Sequence, residues 1–390
     1  MQRCRSNISK PNLATWWFYK KTSHVTSRGT IRSFAAATTS SKQISRYGLM
    51  FPGQGSQHVG MGLDLHAKFD SARRVFEQVD EALGERLSSL MFHGDALELQ
   101  KTSNAQPAIM AHSMAALAAA TEEENGCLAA STPQVFMGHS LGEFTAACAA
   151  GCIELPDAAR LVRARGLAME AAVTTGRGEV SMVAIMPIDY DNAIKLCTAA
   201  AKEQLVGAAE AGVCSVANWN ADKQIVLSGS KLAVENAVAL GKEKFKVRRA
   251  VQLDVSAPFH CSLMAPAEAR VQEMLEELSR SDKTKNPTAT MIMNVNGATS
   301  QTWEEIQQGL IQQTCRTVKW VKCMNTAVEL HSESDSRTDS GSDSGRDPNS
   351  MLPMTWYEVG PGSTLSSLMR RAVPKHWSIK NIACYEDVRT

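Results

Sequence analysis

No stretch of this 390-residue chain approaches the roughly 18 consecutive apolar residues that a membrane-crossing helix needs, so no membrane span is expected. No Cys-x-x-Cys pair occurs among the ten cysteines, and Cys127, Cys148, Cys152, Cys197 and Cys214 fall at irregular intervals in apolar surroundings. Thiols so placed behave as small buried hydrophobes, and neither disulfides nor a zinc site is expected. No Gly-Lys-Ser/Thr follows the Gly-rich turn PGQGSQ, nor does it match Gly-x-Gly-x-x-Gly, which excludes the common nucleotide-binding loops. Acidic residues are missing altogether before Asp64. Up to Arg46 the chain carries nine Lys and Arg and no Asp or Glu, so the net charge of +1 hides an asymmetry. The remainder holds 32 basic against 40 acidic residues, about −8, which is not the balance of a nucleic-acid binder.

What is present in that first stretch is basic, rich in Ser and Thr, and without a continuous apolar h-region (for example RGTIRSFAAATTSS). This composition predicts an organellar transit peptide over residues 1–46 rather than a secretory signal, with the mitochondrial matrix favoured because Arg recurs throughout. The remaining length suits one large domain with a smaller one embedded in it, or two domains.

From Tyr47 onward short apolar runs alternate with helical patterns. Gly48 to Phe51 reads as a strand ending in PGQGSQ, Asp64 to Leu83 as one amphipathic helix, and Ala105 to Glu124 as an Ala-rich helix with Pro107 in its first turn. Val135 to Met137 predicts a buried strand, followed at once by a helix from Leu141 to Ala150. Such alternation predicts an α/β fold with a largely parallel sheet. The middle changes character. Strand, helix, strand, strand, helix and strand follow in turn from Ser181 to Val255, the order of a ferredoxin-like unit, with the turn between its central strands at Trp219 to Asp222. The expected organisation is a first part of the large domain at 47–180, a small subdomain at 181–255, and a second part at 256–390. Within that last part, residues 331–350 (HSESDSRTDSGSDSGRDPNS) offer no aliphatic or aromatic side chain to bury and predict a disordered insertion.

The sharpest chemical signal is VFMGHSLGEF. Gly138, Ser140 and Gly142 form G-x-S-x-G between a strand and a helix, a turn that lifts the serine hydroxyl above the helix N-terminus. The backbone N–H of Leu141 would then face a developing oxyanion. A serine needs a base. Of the nine histidines, His260 stands where a catalytic loop belongs, directly after a predicted strand, in SAPFHCSLM. His139 is held by the elbow itself, so its ring is expected to point elsewhere.

Six segments in one order, FPGQGSQ, NAQPA, GHSLGEF, VRARG, APFHCSLM and YEVGPG, resemble the malonyl-CoA:acyl carrier protein transacylases and the related acyltransferase domains of fatty-acid and polyketide synthases. The resemblance runs from about Tyr47 to near the C-terminus. It implies an α/β-hydrolase-like large domain with an inserted ferredoxin-like subdomain, and malonyl transfer from malonyl-CoA to acyl carrier protein without a cofactor. On the matching positions it implies Ser140 as acyl acceptor and His260 as base. Backbone N–H groups of Gln54 and Leu141 would hold the oxyanion, Arg165 would clamp the malonyl carboxylate, and Gln106 would line the same pocket. Phe259 would disfavour a methylmalonyl group. The resemblance further implies a backbone carbonyl rather than an Asp behind the histidine, and the loop from Gly360 to Gly362 is the expected source. An esterase or thioesterase is the competing enzyme reading and would need an acid such as Asp254 to support the base. A catalytically silent carrier-protein scaffold is the non-enzymatic one. For carrier docking, the run KEKFKVRR (Lys242 to Arg249) is the expected basic patch beside the cleft.

Overall fold

The computed structural model describes residues 47–122, 128, 132–174, 179–203, 212–336 and 354–389. The expected transit segment, 1–46, lies outside them. The described residues belong to one compact unit containing two sheets.

The larger sheet has six strands: β1 (Tyr47–Phe51), β2 (Val135–Gly138), β7 (Thr290–Ile292), β8 (Thr299–Ser300), β9 (Thr355–Val359) and β10 (Ser378–Ile382), in the order β10-β9-β1-β2-β7-β8. All neighbours are parallel except β7 and β8. Helices cover both faces of such a sheet, so β1 and β2 are buried at every position and read as unbroken apolar runs rather than as alternation. The smaller sheet holds β3 (Val180–Met186), β4 (Cys214–Ala221), β5 (Gln224–Ser230) and β6 (Arg249–Gln252), wholly antiparallel in the order β4-β5-β3-β6. That is the strand arrangement a β-α-β-β-α-β chain makes when each helix crosses between non-adjacent strands.

The helices that matter below are α1 (Leu63–Lys68), α2 (Asp70–Leu83), α3 (Thr102–Glu122), α4 (Leu141–Ala149), α5 (Leu155–Thr174), α6 (Tyr190–Glu203), α7 (Lys231–Lys244), α8 (Ala265–Arg280), α9 (Trp303–Gln312) and α10 (Trp320–Ser336). Helix α3 is apolar nearly all round and accordingly buried nearly all round, packed among α2, α4 and α5. Its closeness to α5 depends on Gly166, where an added Cβ would lie 2.6 Å from the Ser103 Cα. That contact brings Arg165 of α5 alongside Gln106 of α3.

Four expectations need correction. The single helix expected from Asp64 is two, because Phe69 takes an extended conformation (φ −124°, ψ 123°) and buries its ring near Tyr385. The Ala-rich helix begins at Thr102, not Ala105, which makes Pro107 its sixth residue. Tertiary partners build that early turn: the Ser103 N–H donates to Glu170 at 2.9 Å, and Thr102 Oγ1 lies 2.6 Å from Ser256 Oγ. A local scan of the polar residues there could not foresee either. Residues Trp219 to Ala221 are strand, not turn. Trp219 stacks on Tyr190 at 4.6 Å and Asn220 bonds His139, so only Asp222 and Lys223 are left to reverse the chain. Finally, α10 runs on through residues 331–336, the first six of the expected disordered tract, since an anchored helix gains a hydrogen bond with each added residue. The rest of that tract lies outside the described residues.

Candidate active site

Three adjacent parallel strands, β1, β2 and β7, end at the same edge, and each passes directly into a loop bearing polar groups. Ligand sites in open α/β sheets form at such carboxyl ends. Strand β2 leads into the elbow, where Ser140 adopts φ 54°, ψ −107° as the residue before α4. A side chain at either flanking glycine would collide with backbone: an added Cβ at Gly138 would lie 1.9 Å from the Gly142 carbonyl oxygen, and one at Gly142 2.0 Å from that of Phe51. Positive φ at a non-glycine residue is strained and persists only when surroundings enforce it. Here they do. The Ser140 N–H donates to Asn294 Oδ1 at 2.8 Å, and the Ser140 carbonyl accepts from Gln313 Nε2 at 2.9 Å. Asn294, just beyond β7, also donates from Nδ2 to the Gly138 carbonyl at 2.7 Å and from its backbone N–H to Glu143 Oε1 at 2.6 Å.

His260 meets the serine. Its Nε2 lies 2.8 Å from Ser140 Oγ, while Nδ1 donates to the Gln313 carbonyl at 2.6 Å. That second bond fixes the tautomer, leaving Nε2 free to accept the hydroxyl proton. The ring is 3% exposed, and burial together with the Arg165 charge pushes its pKa down to about 3, so the imidazole is neutral at physiological pH. The orienting carbonyl therefore comes from the end of α9, not from Gly360 to Gly362. Gly360 packs instead against Pro52 and Ser113. His139 points away as expected, with Nε2 2.8 Å from Asn220 Oδ1.

Leu141 opens α4, so its N–H has no intrahelical acceptor and sits at the positive end of the helix dipole. The turn carrying Gln54 lies against the elbow: an added Cβ at Gly53 would be 2.7 Å from the His139 carbonyl. Gln54 sends its side chain to Thr102 Oγ1 at 3.1 Å.

Arg165 is 2% exposed, an unusual place for a guanidinium. Nη1 donates to Gln106 Oε1 at 2.8 Å, Nη2 to Gln313 Oε1 at 3.3 Å, and the group lies 5.0 Å from the Phe144 ring centre. Its Nε has no partner, and among the described residues no carboxylate comes within ion-pair distance. Burial lowers its pKa, but the group remains charged at neutral pH. The nearest acid acting on it, Glu143, is itself fully buried, and that burial pushes its carboxyl up to about 8. A desolvated guanidinium held by neutral amides is therefore ready for a carboxylate that the protein does not itself supply. Arg163, two residues earlier, faces Asn104 and Glu85. Gln106 is also buried, its Nε2 3.5 Å from the Met169 sulfur. Phe259 is half-buried between α5 with α8 on one side and the face of the small sheet on the other.

The structure thus gathers Ser140, His260, Leu141, Arg165 and Gln106 around one point, with the Gln54 turn beside it. Sequence reasoning missed Gln313, Asn294 and Glu143. For Glu143 a signal existed, a lone acid in the otherwise apolar GEFTAACA; for the other two none did. Asp254 does not support His260: it is exposed and accepts from Gln100 Nε2 at 3.1 Å. This removes the acid that the esterase reading required.

A serine on a strand–turn–helix elbow, a neutral histidine base and a buried cation without a carboxylate define a serine acyl-transfer site for acids bearing a second, free carboxylate. Comparisons with known proteins agree. A family model described as the acyl transferase domain matches residues 49–346. The malonyl CoA-acyl carrier protein transacylase of Bacillus subtilis is 36% identical over 328 residues, 84% of this chain and 90% of that protein. That of Escherichia coli K12 is 34% identical over 330 residues, 85% and 94% of the two chains. The crystal structure of an acyl-carrier-protein-S-malonyltransferase from Bartonella henselae superposes with a TM-score of 0.73 at 36% identity, covering 88% of this chain and 97% of that one. A malonyl-transacylase solved in complex with a type II PKS acyl-carrier protein gives 0.72 at 30% identity, covering 88% and 98%. The chain belongs to the acyl transferase domain family and, within it, to the malonyl CoA-acyl carrier protein transacylases.

Proposed function

We propose that the protein transfers the malonyl group of malonyl-CoA to the phosphopantetheine thiol of an acyl carrier protein, supplying fatty acid synthesis. Transfer is ping-pong. Ser140 Oγ attacks the thioester carbonyl as His260 Nε2 takes its proton, and the backbone N–H groups of Gln54 and Leu141 receive the oxyanion. The C–S bond then breaks, His260 returns the proton to the departing CoA thiolate, and a malonyl-serine ester remains. The carrier thiol reverses the sequence, giving its proton to His260, which returns it to Ser140 Oγ. No step calls for a cofactor. Arg165 holds the free malonyl carboxylate through both halves, with Gln106 fixing its guanidinium, while Phe259 crowds an added methyl at the α-carbon by about 1–3 kcal/mol. The observation that carries this reading is the buried Arg165 without a carboxylate, in the same site as the 2.8 Å Ser140–His260 contact.

We further read the parallel-sheet part (47–180 and 256–390) as an α/β-hydrolase-like domain and 181–255 as its ferredoxin-like insertion. The acid-free segment 1–46 we read as a transit peptide for the mitochondrial matrix, which supports a matrix location. Import of the full chain into isolated mitochondria, with loss of that segment, tests the address.

Mass spectrometry after incubation with malonyl-CoA tests the chemistry. A malonyl adduct is expected on the peptide containing Ser140, and Ser140→Ala should abolish both adduct and transfer. An adduct on Cys148 or Cys261 instead would overturn the assignment.

A further inference from the structure

Beyond the reacting atoms, a cavity of about 580 Å³ opens on the His260 side of the site, between α6, β4 and the segment joining α9 to α10. Its apolar wall includes Ile194 and Val216, and its cationic side is Arg316 and Lys319. Both cations are tied to the catalytic frame. Arg316 stands three residues after Gln313, whose carbonyl orients His260, and the Lys319 N–H donates to the Asn294 carbonyl at 2.9 Å. Lys322 lies one turn further, and Lys319 is depressed by burial first and then by the charges of Lys322 and Arg316. None of the three has an ion-pair partner among the described residues. Three like charges grouped in this way repel one another unless an anion arrives. The run Lys242 to Arg249 offers no comparable setting. Its basic residues are exposed from the end of α7 to the start of β6, and β6 is the edge of the small sheet opposite β4, which lines the cavity.

We propose that Arg316 and Lys319 form the site for the phosphate at the far end of the pantetheine arm, whose uncharged portion lies along the apolar wall. The wall suits that ligand in length. The residues of α6 that border the cavity, Tyr190, Ile194, Cys197, Thr198 and Ala201, span about 16 Å at 1.5 Å per residue, enough for an extended chain of amides and methylenes. This inference rests on the transacylase reading. The phosphate can come from CoA or from the carrier's prosthetic group, which share this chemistry.

The test compares donors with and without the phosphate. Acylation of Ser140 is measured with malonyl-CoA and with malonyl-pantetheine, for the full chain and for the double variant Arg316→Ala, Lys319→Ala. Two charge-assisted contacts predict a loss of roughly tenfold in kcat/KM for malonyl-CoA, shrinking as salt is raised, and less than twofold for malonyl-pantetheine. Weaker competitive inhibition by inorganic phosphate in the variant is expected as well. Transfer to holo-carrier should fall by a similar factor, identifying the prosthetic-group phosphate as a second occupant. Equal losses on both donors would overturn the proposal. So would a loss confined to the carrier step, which would assign the cations to the carrier's protein surface. Arg316→Glu alone, at an exposed position, gives the same comparison if the double variant melts early. Absence of Ser140 acylation by either donor in the unaltered protein would instead sink the transacylase reading itself.

Discussion

Two groups of cations flank His260 and are built in opposite ways. Arg165 is enclosed, held by the amides of Gln106 and Gln313 and by the Phe144 ring, with Glu143 kept largely neutral nearby. Arg316 and Lys319 stand at the open cavity, one exposed and one half-buried, with no hydrogen-bonding frame of that kind described around their side chains. The enclosed cation acts in a low dielectric, where an unmatched charge is costly and a matching carboxylate is strongly favoured. Open cations act through solvent, so they govern encounter more than choice and weaken with salt. Selection of the acyl group and capture of its carrier are thereby separated in space.

The largest effect that tests this division falls on the base both groups surround. His260→Ala should slow acylation by about 10²–10⁴-fold without abolishing it, the usual worth of general-base help. Single-turnover labelling of Ser140 measures this. A wild-type rate would place the base elsewhere.

Next comes Arg165→Ala. Stranding the malonyl carboxylate in a dry pocket costs about 2–5 kcal/mol, whereas an acetyl group has nothing to strand. The expected outcome is a shift of kcat/KM from malonyl-CoA toward acetyl-CoA. Equal loss on both substrates would make Arg165 a structural residue and dissolve the contrast drawn above.

A smaller effect concerns pH. Two buried histidines, His260 at about 3 and His112 at about 4, lie below their ordinary 6.5, both chiefly through burial. Between those values the unfolded chain binds more protons, so their contribution to stability is full above pH 6.5 and is lost as pH falls toward 3–4. Glu143 works in the other direction. With its carboxyl raised from 4.5 to about 8, the folded state holds the extra proton, and stability declines as pH rises through that interval. Glu143→Gln, which mimics the neutral acid, should remove this decline from pH 4.5 to about 8 and leave the curve below pH 4.5 unchanged. Denaturant titrations from pH 4 to 9 read this directly. An unaltered alkaline limb would mean that Glu143 is ionised in the fold.

The elbow was legible in the sequence because its constraints are local. Gly138, Ser140, Gly142 and the start of α4 are confined to five residues, and the steric demand that selects those glycines acts within the same turn and against β1. Element order from Ser181 to Val255 was equally plain, whereas α5, α8, α9, β7 and β8 were not read from the sequence. Arg165, Gln106 and Gln54 were reachable only through resemblance, because nothing in VRARG marks which arginine faces inward. The fold encloses Arg165 between Gln106 and Gln313, whereas Arg163 reaches Asn104 and the exposed Glu85.

By itself, then, the sequence determined the nucleophile, the alternation that makes an α/β sheet, and the small subdomain's order of elements. Tertiary structure alone decided what holds the site together. Gln313 reaches Ser140 across 173 residues of chain and Asn294 reaches it across 154. Each is an ordinary polar residue at the end of an element, with no local pattern to distinguish it from any surface amide. Their roles arise only when β7 and α9 end beside β2, where a buried N–H or carbonyl must find a partner and the closest available amide supplies it.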